Sequence, residues 1–239
     1  MTTPTRLAYD AWHALLDVDK EAQAPWHGLV RARLDPQRDL AGKTLLEVGC
    51  GRGGFTCWLA AQRMAPRHIV AVDLSPVAVA KGRALAAELR LRGIDWEVAD
   101  IHDLAHRSNS FDTVISCETI EHVSNPGRAV AQLGRVLRTG GRLFLTTPNY
   151  LGSMGLYRLY LRLTGRRYTE VGQPINRFTT WPRTLAWIDQ ANLRIRLADG
   201  VGHYLPVPRR PPVRLRVLDR ARTVTRWTAL HSLVVAEKP

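Results

Sequence analysis

Short apolar runs recur along the chain, separated by glycine-containing turns and by longer stretches with helical periodicity. Runs of this length are typical of strands that are buried on both faces of a parallel sheet. Their alternation with helical segments predicts a doubly wound α/β fold, with helices on both faces of the sheet. The predicted strands span residues 45–48, 68–73, 95–99, 111–117, 141–147, 193–197 and 232–236.

The segment after the first predicted strand is rich in glycine and opens a helix. Gly49, Gly51 and Gly53 would let the backbone approach a bound nucleoside and adopt φ values that a Cβ forbids. Asp73 ends the second predicted strand, where a carboxylate can accept hydrogen bonds from both ribose hydroxyls. Together these residues predict a nucleoside-binding cradle at the carboxyl ends of the first two strands.

Glu47 distinguishes two possible cofactors for this cradle. The dinucleotide fingerprint G-x-G-x-x-G is also matched, by Gly49, Gly51 and Gly54. However, a negative charge two residues before the first glycine would repel a pyrophosphate. S-adenosylmethionine has no phosphate and carries a sulfonium and an ammonium, so the same carboxylate favours it. The sequence therefore indicates S-adenosylmethionine.

The E-x-G-x-G-x-G motif of the class I S-adenosylmethionine-dependent methyltransferases is matched by Glu47, Gly49, Gly51 and Gly53, and the chain resembles that family over about residues 43–150. The resemblance implies a Rossmann-like, mostly parallel seven-stranded sheet with an antiparallel last strand, and an enzyme that uses S-adenosylmethionine. It places the acidic residue that meets the adenine at Asp100, beside Ile101. The expected cofactor-binding residues are Glu47, Gly49, Cys50, Gly51, Gly53, Asp73, Leu74, Asp100, Ile101 and Cys117.

Length and composition fit one methyltransferase domain over residues 1–239, because a chain of this size with 45% hydrophobic residues can bury a full core. No linker or low-complexity tract divides it. We expect a helical lid at 1–40, a cofactor-binding core at 41–150, and substrate-specificity insertions with the last strands at 151–239.

The apolar runs and the cysteines also indicate where in the cell the protein is located. None approaches the roughly 20 residues that span a bilayer, and the N-terminus lacks the hydrophobic core of a signal peptide. The cysteines Cys50, Cys57 and Cys117 are odd in number, which favours reduced thiols over a disulfide framework. We therefore expect a cytoplasmic protein.

The net charge of +13 is concentrated in the last third of the chain. Residues 151–239 hold 16 basic and 5 acidic side chains, whereas residues 1–150 hold 18 and 16. Such a region can meet an anionic partner, whether nucleic acid, a phosphorylated substrate or a membrane surface. A solvated, arginine-rich surface is the alternative, since the basic residues are not interleaved with the regular aromatic platform that stacks bases.

Polar side chains follow the fourth predicted strand, at the edge of the sheet where ligands bind in such folds. On a helical turn, Glu118, Glu121 and His122 would share one face. Two carboxylates and an imidazole form a mixed oxygen and nitrogen set that suits a divalent cation such as Mg²⁺. The same three side chains are candidate catalytic groups that would orient or deprotonate a methyl acceptor.

The segment from Glu118 to His122 resembles the E-x-x-E-H motif of ubiquinone-biosynthesis O-methyltransferases and of small-RNA 2′-O-methyltransferases. In the RNA enzymes these residues bind a divalent metal, and a later histidine completes the site. Asn176 stands at that later position here. An amide oxygen still coordinates magnesium, so the predicted metal ligands are Glu118, Glu121, His122 and Asn176, with Gln173 or His203 as substitutes.

A reaction without metal is the open alternative, because many small-molecule methyltransferases with a Glu-His-Val sequence at this point need none. His122 or His203 would then act as the general base, since an imidazole with an ordinary pKa of about 6.5 can take up a hydroxyl proton. The transfer is an in-line displacement at the sulfonium methyl, so positioning of the acceptor does most of the work.

Segments outside these motifs are expected to choose the substrate. Aromatic residues within 9–13 and 25–27 would form a lid over the pocket. The amphipathic stretch 156–163 would line an apolar channel or rest on a membrane surface. Prolines exclude a helix or a central strand at 206–212, and a short basic helix is predicted at 213–225.

The predicted function is methyl transfer from S-adenosylmethionine to a hydroxyl of a small molecule. Methylation of an RNA ribose 2′-hydroxyl is an alternative, suggested by the E-x-x-E-H segment and the basic last third, and methylation of nitrogen or carbon in a small molecule is another. A protein that binds the cofactor without turnover is the alternative from a different class. The expected partner is a small-molecule acceptor, with nucleic acid less favoured.

Overall fold

The computed structural model describes residues 3–15, 22–165, 172–205, 207 and 213–239. The strands are β1 (Thr44–Val48), β2 (His68–Asp73), β3 (Ile94–Val98), β4 (Phe111–Cys117), β5 (Leu137–Pro148), β6 (Arg194–Val201), β7 (Tyr204–Leu205), β8 (Val213–Arg214) and β9 (His231–Glu237). The helices are α1 (Thr3–Leu15), α2 (Pro25–Arg31), α3 (Gly54–Ala60), α4 (Pro76–Glu88), α5 (Pro126–Val136), α6 (Ser153–Leu163), α7 (Trp181–Gln190), α8 (Arg216–Arg220) and α9 (Arg222–Thr225). Short helical turns lie at Pro36–Leu40, Ile120–His122 and Arg226–Thr228.

Seven of the strands form one sheet in the order β3-β2-β1-β4-β5-β9-β6. The first five are parallel neighbours, and β9 runs antiparallel between β5 and β6. This arrangement confirms the predicted Rossmann-like α/β fold with a mostly parallel sheet and an antiparallel last strand. The chain direction across the sheet reverses beside β1 and β4, which is where ligands bind in open α/β sheets.

Helices cover both faces of the sheet, because successive residues of each strand point to opposite sides. In β1, Leu45 belongs to a core that includes Leu29 of α2 and Phe55 of α3. The next residue, Leu46, belongs to a second core with Leu133 of α5 and Ile188 of α7. All six side chains are almost fully buried, which confirms the doubly wound arrangement.

The first helix is attached to the cofactor half of the sheet. Asp10 and Ser75 are hydrogen-bonded through their side chains at 2.5 Å, and Ser75 also caps α4 by accepting the N–H of Ala78. The Lys81 ammonium donates to the carbonyl of His13 at 2.5 Å. These contacts place α1 against α4.

The stretch 213–225 differs from the single basic helix predicted from sequence. Val213–Arg214 pairs with Tyr204–Leu205 as a two-stranded ribbon, and two short helices follow. The reason is tertiary: the Asp219 carboxylate accepts the backbone N–H of Gly202 at 2.8 Å and is paired with Arg214. The predicted proline-rich connection at 206–212 lies outside the described residues, apart from Val207.

The predicted helix at 156–163 is observed as part of α6, with Leu159 and Leu163 exposed. No helix among the described residues has both the length and the apolar character to cross a membrane. Cys50, Cys57 and Cys117 are buried free thiols, as their odd number predicts.

Candidate active site

The turn between β1 and α3 requires glycine at its first position. Gly49 has φ +77°, a left-handed conformation that side chains rarely adopt. A Cβ on Gly49 would also lie 2.1 Å from Oγ1 of Thr119, in the loop after β4. The turn is closed by the N–H groups of Gly49 and Cys50, which both donate to the carbonyl of Val72. The glycine motif therefore brings the ends of β1, β2 and β4 together.

Asp73 is fixed at the end of β2 by two backbone hydrogen bonds. The N–H of Gly51 donates to its Oδ2 and the N–H of Ser75 to its Oδ1, each at 2.9 Å. The carboxylate therefore links the glycine turn to the start of α4 and is oriented by the backbone on both sides. This orientation suits a side chain that receives ribose hydroxyls at the strand end.

A cavity of about 340 Å³ lies at the carboxyl ends of the parallel strands, a size typical of small-molecule sites. The glycine turn and Asp73 form one side of it. Nine of the ten residues predicted to bind the cofactor line this cavity: Glu47, Gly49, Cys50, Gly51, Asp73, Leu74, Asp100, Ile101 and Cys117. The sequence motif therefore marks the walls of a cavity that the fold does form.

Gly53 is the exception among the predicted cofactor-binding residues. It has φ +77° and precedes α3, and it lies against Trp96 and Gly82 rather than in the cavity wall. A Cβ there would be 2.3 Å from the Trp96 ring and 3.1 Å from the Cα of Gly82. Gly53 thus allows α3 to start close to α4 and β3.

The charged groups of the cavity wall are acidic. Glu47 is 2% exposed, and its Oε2 accepts a hydrogen bond from Oγ1 of Thr56 at 2.5 Å. Asp73, Asp100 and Glu118 add three further carboxyl groups, and the described lining includes no lysine or arginine. The cavity therefore favours a cation, although the whole chain carries a net charge of +13.

The opposite wall is aromatic and comes from the N-terminal helices. Trp12 and His13 of α1 and Trp26 and His27 of α2 line it. The His27 ring stacks on Phe55 with centroids 4.6 Å apart and planes 3° from parallel. Burial lowers the pKa of His27 to about 4, so this ring is neutral at pH 7. The rings are not coplanar, because the planes of Trp12 and His13 differ by 83° and those of Trp26 and His27 by 65°.

The segment after β4 does not form the helical turn predicted from sequence. Glu118 has φ +45°, and only Ile120–His122 make a single 3₁₀ turn. Glu118 and His122 line the cavity, whereas Glu121 is fully buried outside the lining and accepts a hydrogen bond from Oγ1 of Thr147 at 3.0 Å. Oε1 of Glu121 still lies 3.6 Å from Nε2 of His122, so two of the three predicted side chains remain neighbours. Glu118 departs from the predicted helical turn, because its left-handed conformation interrupts the helical geometry.

His122 is held in a defined tautomer. Its Nδ1 lies 2.7 Å from the carbonyl of Ile175, so Nδ1 carries the proton and donates. Burial lowers the pKa of His122 to about 4, which keeps the ring neutral at pH 7. Its Nε2 is buried and lies 3.6 Å from Oε1 of Glu121.

Sequence analysis did not identify His231, the first residue of β9. Its Nδ1 lies 3.2 Å from Oε2 of Glu118, and both side chains are more than nine-tenths buried. The antiparallel last strand was the available signal, because such a strand begins at the edge where the parallel strands end. Phe55 and Thr119 were also missed as lining residues, since nothing in their local sequence separates them from ordinary core positions.

His203 and Asn176 do not belong to the described cavity wall. The two ring nitrogens of His203 each lie 2.9 Å from a partner, Oδ1 of Asp219 and the carbonyl of Thr225. Asn176 lies with its Oδ1 3.4 Å from the hydroxyl of Tyr150. The expectation that His203 serves as a base is therefore corrected: both nitrogens hold the C-terminal segment in place.

The predicted metal ligands are not arranged around one point. Glu118 is paired with His231, Glu121 is bonded to Thr147, and His122 donates to a main-chain carbonyl. Within the described ranges, no group of three or more His, Cys, Asp or Glu side chains is placed to hold a metal ion. These side chains therefore do not form a donor set that fits Mg²⁺.

Comparison with known proteins agrees with this geometry. A family model described as a methyltransferase domain matches residues 46–145. The ubiquinone biosynthesis O-methyltransferase of Xanthomonas oryzae pv. oryzae is 32% identical over 232 residues, covering 91% of this chain and 86% of that protein. The protein of the same name from Xylella fastidiosa is 35% identical over 188 residues, covering 75% and 73%.

Solved structures share the fold. A chain in the complex between the Haloferax volcanii Trm112 methyltransferase activator and the putative methyltransferase superposes with a TM-score of 0.70 at 21% identity, covering 98% of this chain and 97% of that one. Geranyl diphosphate C-methyltransferase from Streptomyces coelicolor A3(2) gives 0.63 at 16% identity, covering 89% and 79%. The family model and these relatives agree with the glycine turn and the acidic strand ends. The chain therefore belongs to the class I S-adenosylmethionine-dependent methyltransferases.

Proposed function

We propose that this enzyme transfers a methyl group to a hydroxyl of a small, planar and uncharged acceptor. The observation that carries the proposal is the composition of the cavity wall. Carboxyl groups at the strand ends face flat neutral rings from α1 and α2, and the described lining contains no basic side chain that could neutralise an anionic acceptor. The relatives named as ubiquinone biosynthesis O-methyltransferases support transfer to oxygen on such a molecule.

Charge repulsion supports the exclusion of anionic acceptors. Two like unit charges 4 Å apart repel by about 4 kcal/mol at the effective dielectric constant typical of protein surfaces. A carboxylate or phosphate on the acceptor would experience this repulsion from Glu118 without compensation from a described cation. The same argument makes RNA ribose the weaker alternative, because the phosphates that flank the target hydroxyl carry charge.

When bound, S-adenosylmethionine supplies the electrophilic methyl on sulfur. Glu47, Asp73 and Asp100 hold the cofactor in this scheme, because they lie at three neighbouring strand ends within the cavity wall. His122 contributes a neutral imidazole to the same wall. Trp26 and His27 hold the acceptor ring and exclude water, which would otherwise solvate the nucleophile.

The choice of methyl acceptor depends on which segments line the cavity. Of residues 151–239, only Gln173 is among the described lining residues. Six lining residues come from the N-terminal segments before residue 28: Tyr9, Trp12, His13, Ala24, Trp26 and His27. We therefore assign acceptor choice mainly to α1 and α2. We retain a single domain over 1–239 and the cytoplasm as proposals, consistent with buried free thiols.

The proposal is tested with matched pairs of acceptors. A neutral catechol and the same ring carrying a carboxylate are incubated with the enzyme and cofactor, and formation of S-adenosylhomocysteine is measured together with the position of the new methyl group. We expect O-methylation of the neutral ring and at least roughly 100-fold lower kcat/KM for the charged one. Equal rates would contradict the charge argument, and transfer only to total RNA or to amines would overturn the assignment of the acceptor.

A further inference from the structure

We infer that His231 is a positioning residue for methyl transfer: it holds the carboxylate of Glu118 at the acceptor end of the cavity, where Glu118 takes the proton of the acceptor hydroxyl. The inference rests on the proposed hydroxyl acceptor and adds a residue from the last strand to the machinery. The direct observation is the contact of 3.2 Å between Nδ1 of His231 and Oε2 of Glu118.

The sheet topology brings these two residues together. Glu118 directly follows β4, whose last residue Cys117 pairs with Thr146 of β5. His231 opens β9 and pairs with Pro148, at the end of β5. Because β9 is antiparallel, its first residue lies at the same edge of the sheet as the last residues of β4 and β5. His231 thus contacts Glu118, a residue of the cavity wall, from a strand that lies outside the cofactor half of the sheet.

Glu118 adopts a left-handed backbone conformation that is rare for its residue type. A glutamate at φ +45° costs roughly 1–2 kcal/mol relative to an ordinary conformation, and asparagine or glycine would adopt it more readily. Its N–H is anchored by Thr146, through both the main-chain carbonyl and Oγ1 at 3.1 Å. Non-glycine residues held in this region cluster at functional sites, and here the conformation delivers a carboxyl group to the cavity wall.

The ring of His231 is packed so that its direction is set. The ring of Trp26 lies 5.0 Å from it on one side. On another side is Gly202, at φ +89°, where a Cβ would come within 3.1 Å of the His231 ring. Both histidine and carboxylate are nearly buried, and an ionised carboxylate only accepts hydrogen bonds, so Nδ1 carries the proton and donates. A charge-assisted bond of this kind restrains the carboxylate.

The methyl group moves by a single displacement at its carbon. A lone pair on the acceptor oxygen forms the new C–O bond to the methyl, and the C–S bond breaks with its electrons remaining on sulfur. The hydroxyl proton passes to the carboxylate of Glu118, while His231 keeps its own proton and its bond. The products are a methyl ether, neutral S-adenosylhomocysteine and protonated Glu118, which returns its proton to water when the product leaves.

Two substitutions at His231 test the role. His231→Asn keeps an N–H donor near the position of Nδ1, whereas His231→Leu removes the donor at similar volume. Purified full-length variants are assayed for kcat and KM on a neutral catechol, in EDTA and in Mg²⁺, and for S-adenosylhomocysteine affinity by calorimetry. We expect His231→Leu to lower kcat roughly 10- to 100-fold with cofactor affinity unchanged, and His231→Asn to recover most of the rate.

A double-variant cycle separates positioning from general packing. Glu118→Gln should lower kcat roughly 100-fold or more, and His231→Leu combined with it should lower kcat no further, because the two residues act as one unit. Additive losses, a His231→Asn variant as slow as His231→Leu, or wild-type kcat in both would overturn the pairing while leaving hydroxyl methylation intact. Failure of the wild-type enzyme to methylate any neutral phenol or catechol would instead overturn the proposed function and the base assignment together.

Discussion

The hydroxyl of Tyr9 donates a hydrogen bond of 3.0 Å to the main-chain carbonyl of His122, joining α1 to the loop after β4. Both residues line the cavity, and burial raises the pKa of Tyr9 well above its usual range, so the phenol stays a neutral donor. A buried hydrogen bond therefore connects α1 to the loop after β4. The position of the loop that carries His122 therefore depends on the position of α1.

Removal of that hydroxyl should loosen the acceptor loop. Tyr9→Phe leaves the His122 carbonyl without this donor, at a cost of about 1–3 kcal/mol for a buried polar group. We expect a lower melting temperature and a raised KM for the acceptor. Tyr160→Phe on α6 is the control, because Tyr160 lies outside the described cavity wall. Equal effects of the two substitutions would argue against coupling through this bond.

Asp73 should contribute to cofactor affinity. In Asp73→Asn the side chain keeps one acceptor oxygen but loses its charge, and we expect S-adenosylhomocysteine to bind roughly 10- to 150-fold more weakly, as for loss of hydrogen bonds to a charged group. Asp95→Asn is the matched control, since that side chain is 66% exposed on β3. Isothermal titration calorimetry measures both. Unchanged affinity in Asp73→Asn would place the ribose elsewhere.

Two glycines with positive φ should respond differently to alanine. Gly42 has φ +69° and open space around its missing Cβ, so Gly42→Ala should cost only the conformational penalty of about 1–2 kcal/mol. Gly53→Ala adds overlap with the Trp96 ring, for roughly 1–3 kcal/mol more. Urea unfolding of both variants gives the difference. A Gly53→Ala protein as stable as Gly42→Ala would contradict the close packing of α3.

Stability should fall in mild acid because of His27. Burial lowers the pKa of His27 to about 4, below the value of about 6.5 in the unfolded chain. The unfolded state therefore binds more protons between these values, and stability is complete above about pH 6.5 and lost as the pH falls toward 4. His27→Phe keeps the stacking surface and should reduce the loss between about pH 7.5 and 5.5 by about 1 kcal/mol. Parallel unfolding curves for the two proteins would refute this.

Chelation of divalent cations should leave turnover unchanged. The carboxyl groups of Glu118 and Glu121 and the Nδ1 of His122 are each engaged with separate protein partners. We expect the same kcat after EDTA treatment and with added Mg²⁺, measured with a neutral catechol. A loss of rate in EDTA that Mg²⁺ restores would show that the loop rearranges into a metal site.

Local sequence was sufficient to predict the strands and the cavity residues of the cofactor half of the sheet. The strands β1, β2 and β4 were predicted to within a residue, because continuous apolar runs can only be satisfied by burial on both faces. Glu47, Gly49 and Asp73 were also placed correctly in the cavity wall. Their positions could be predicted because a glycine turn and a carboxylate at the end of a strand are both recognisable from the adjacent residues.

The acceptor half depended on contacts between distant segments. The spacing of Glu118, Glu121 and His122 fits a helix, but Glu118 has a left-handed backbone and lines the cavity, whereas Glu121 lies outside the lining. No local pattern signals that conformation, since it is held by Thr146 on the neighbouring strand. The exclusion of His203 from the site likewise follows from Asp219, sixteen residues further along the chain.

The sequence by itself thus determined the fold class, the cofactor and the strand ends that line the cavity, because hydrophobic periodicity and glycine conformation are local properties. Only the tertiary structure decided which polar groups meet the acceptor. His231 and Glu118 are 113 residues apart and become neighbours through an antiparallel strand at the sheet edge. Such a pairing depends on the register of three strands, which no single segment encodes.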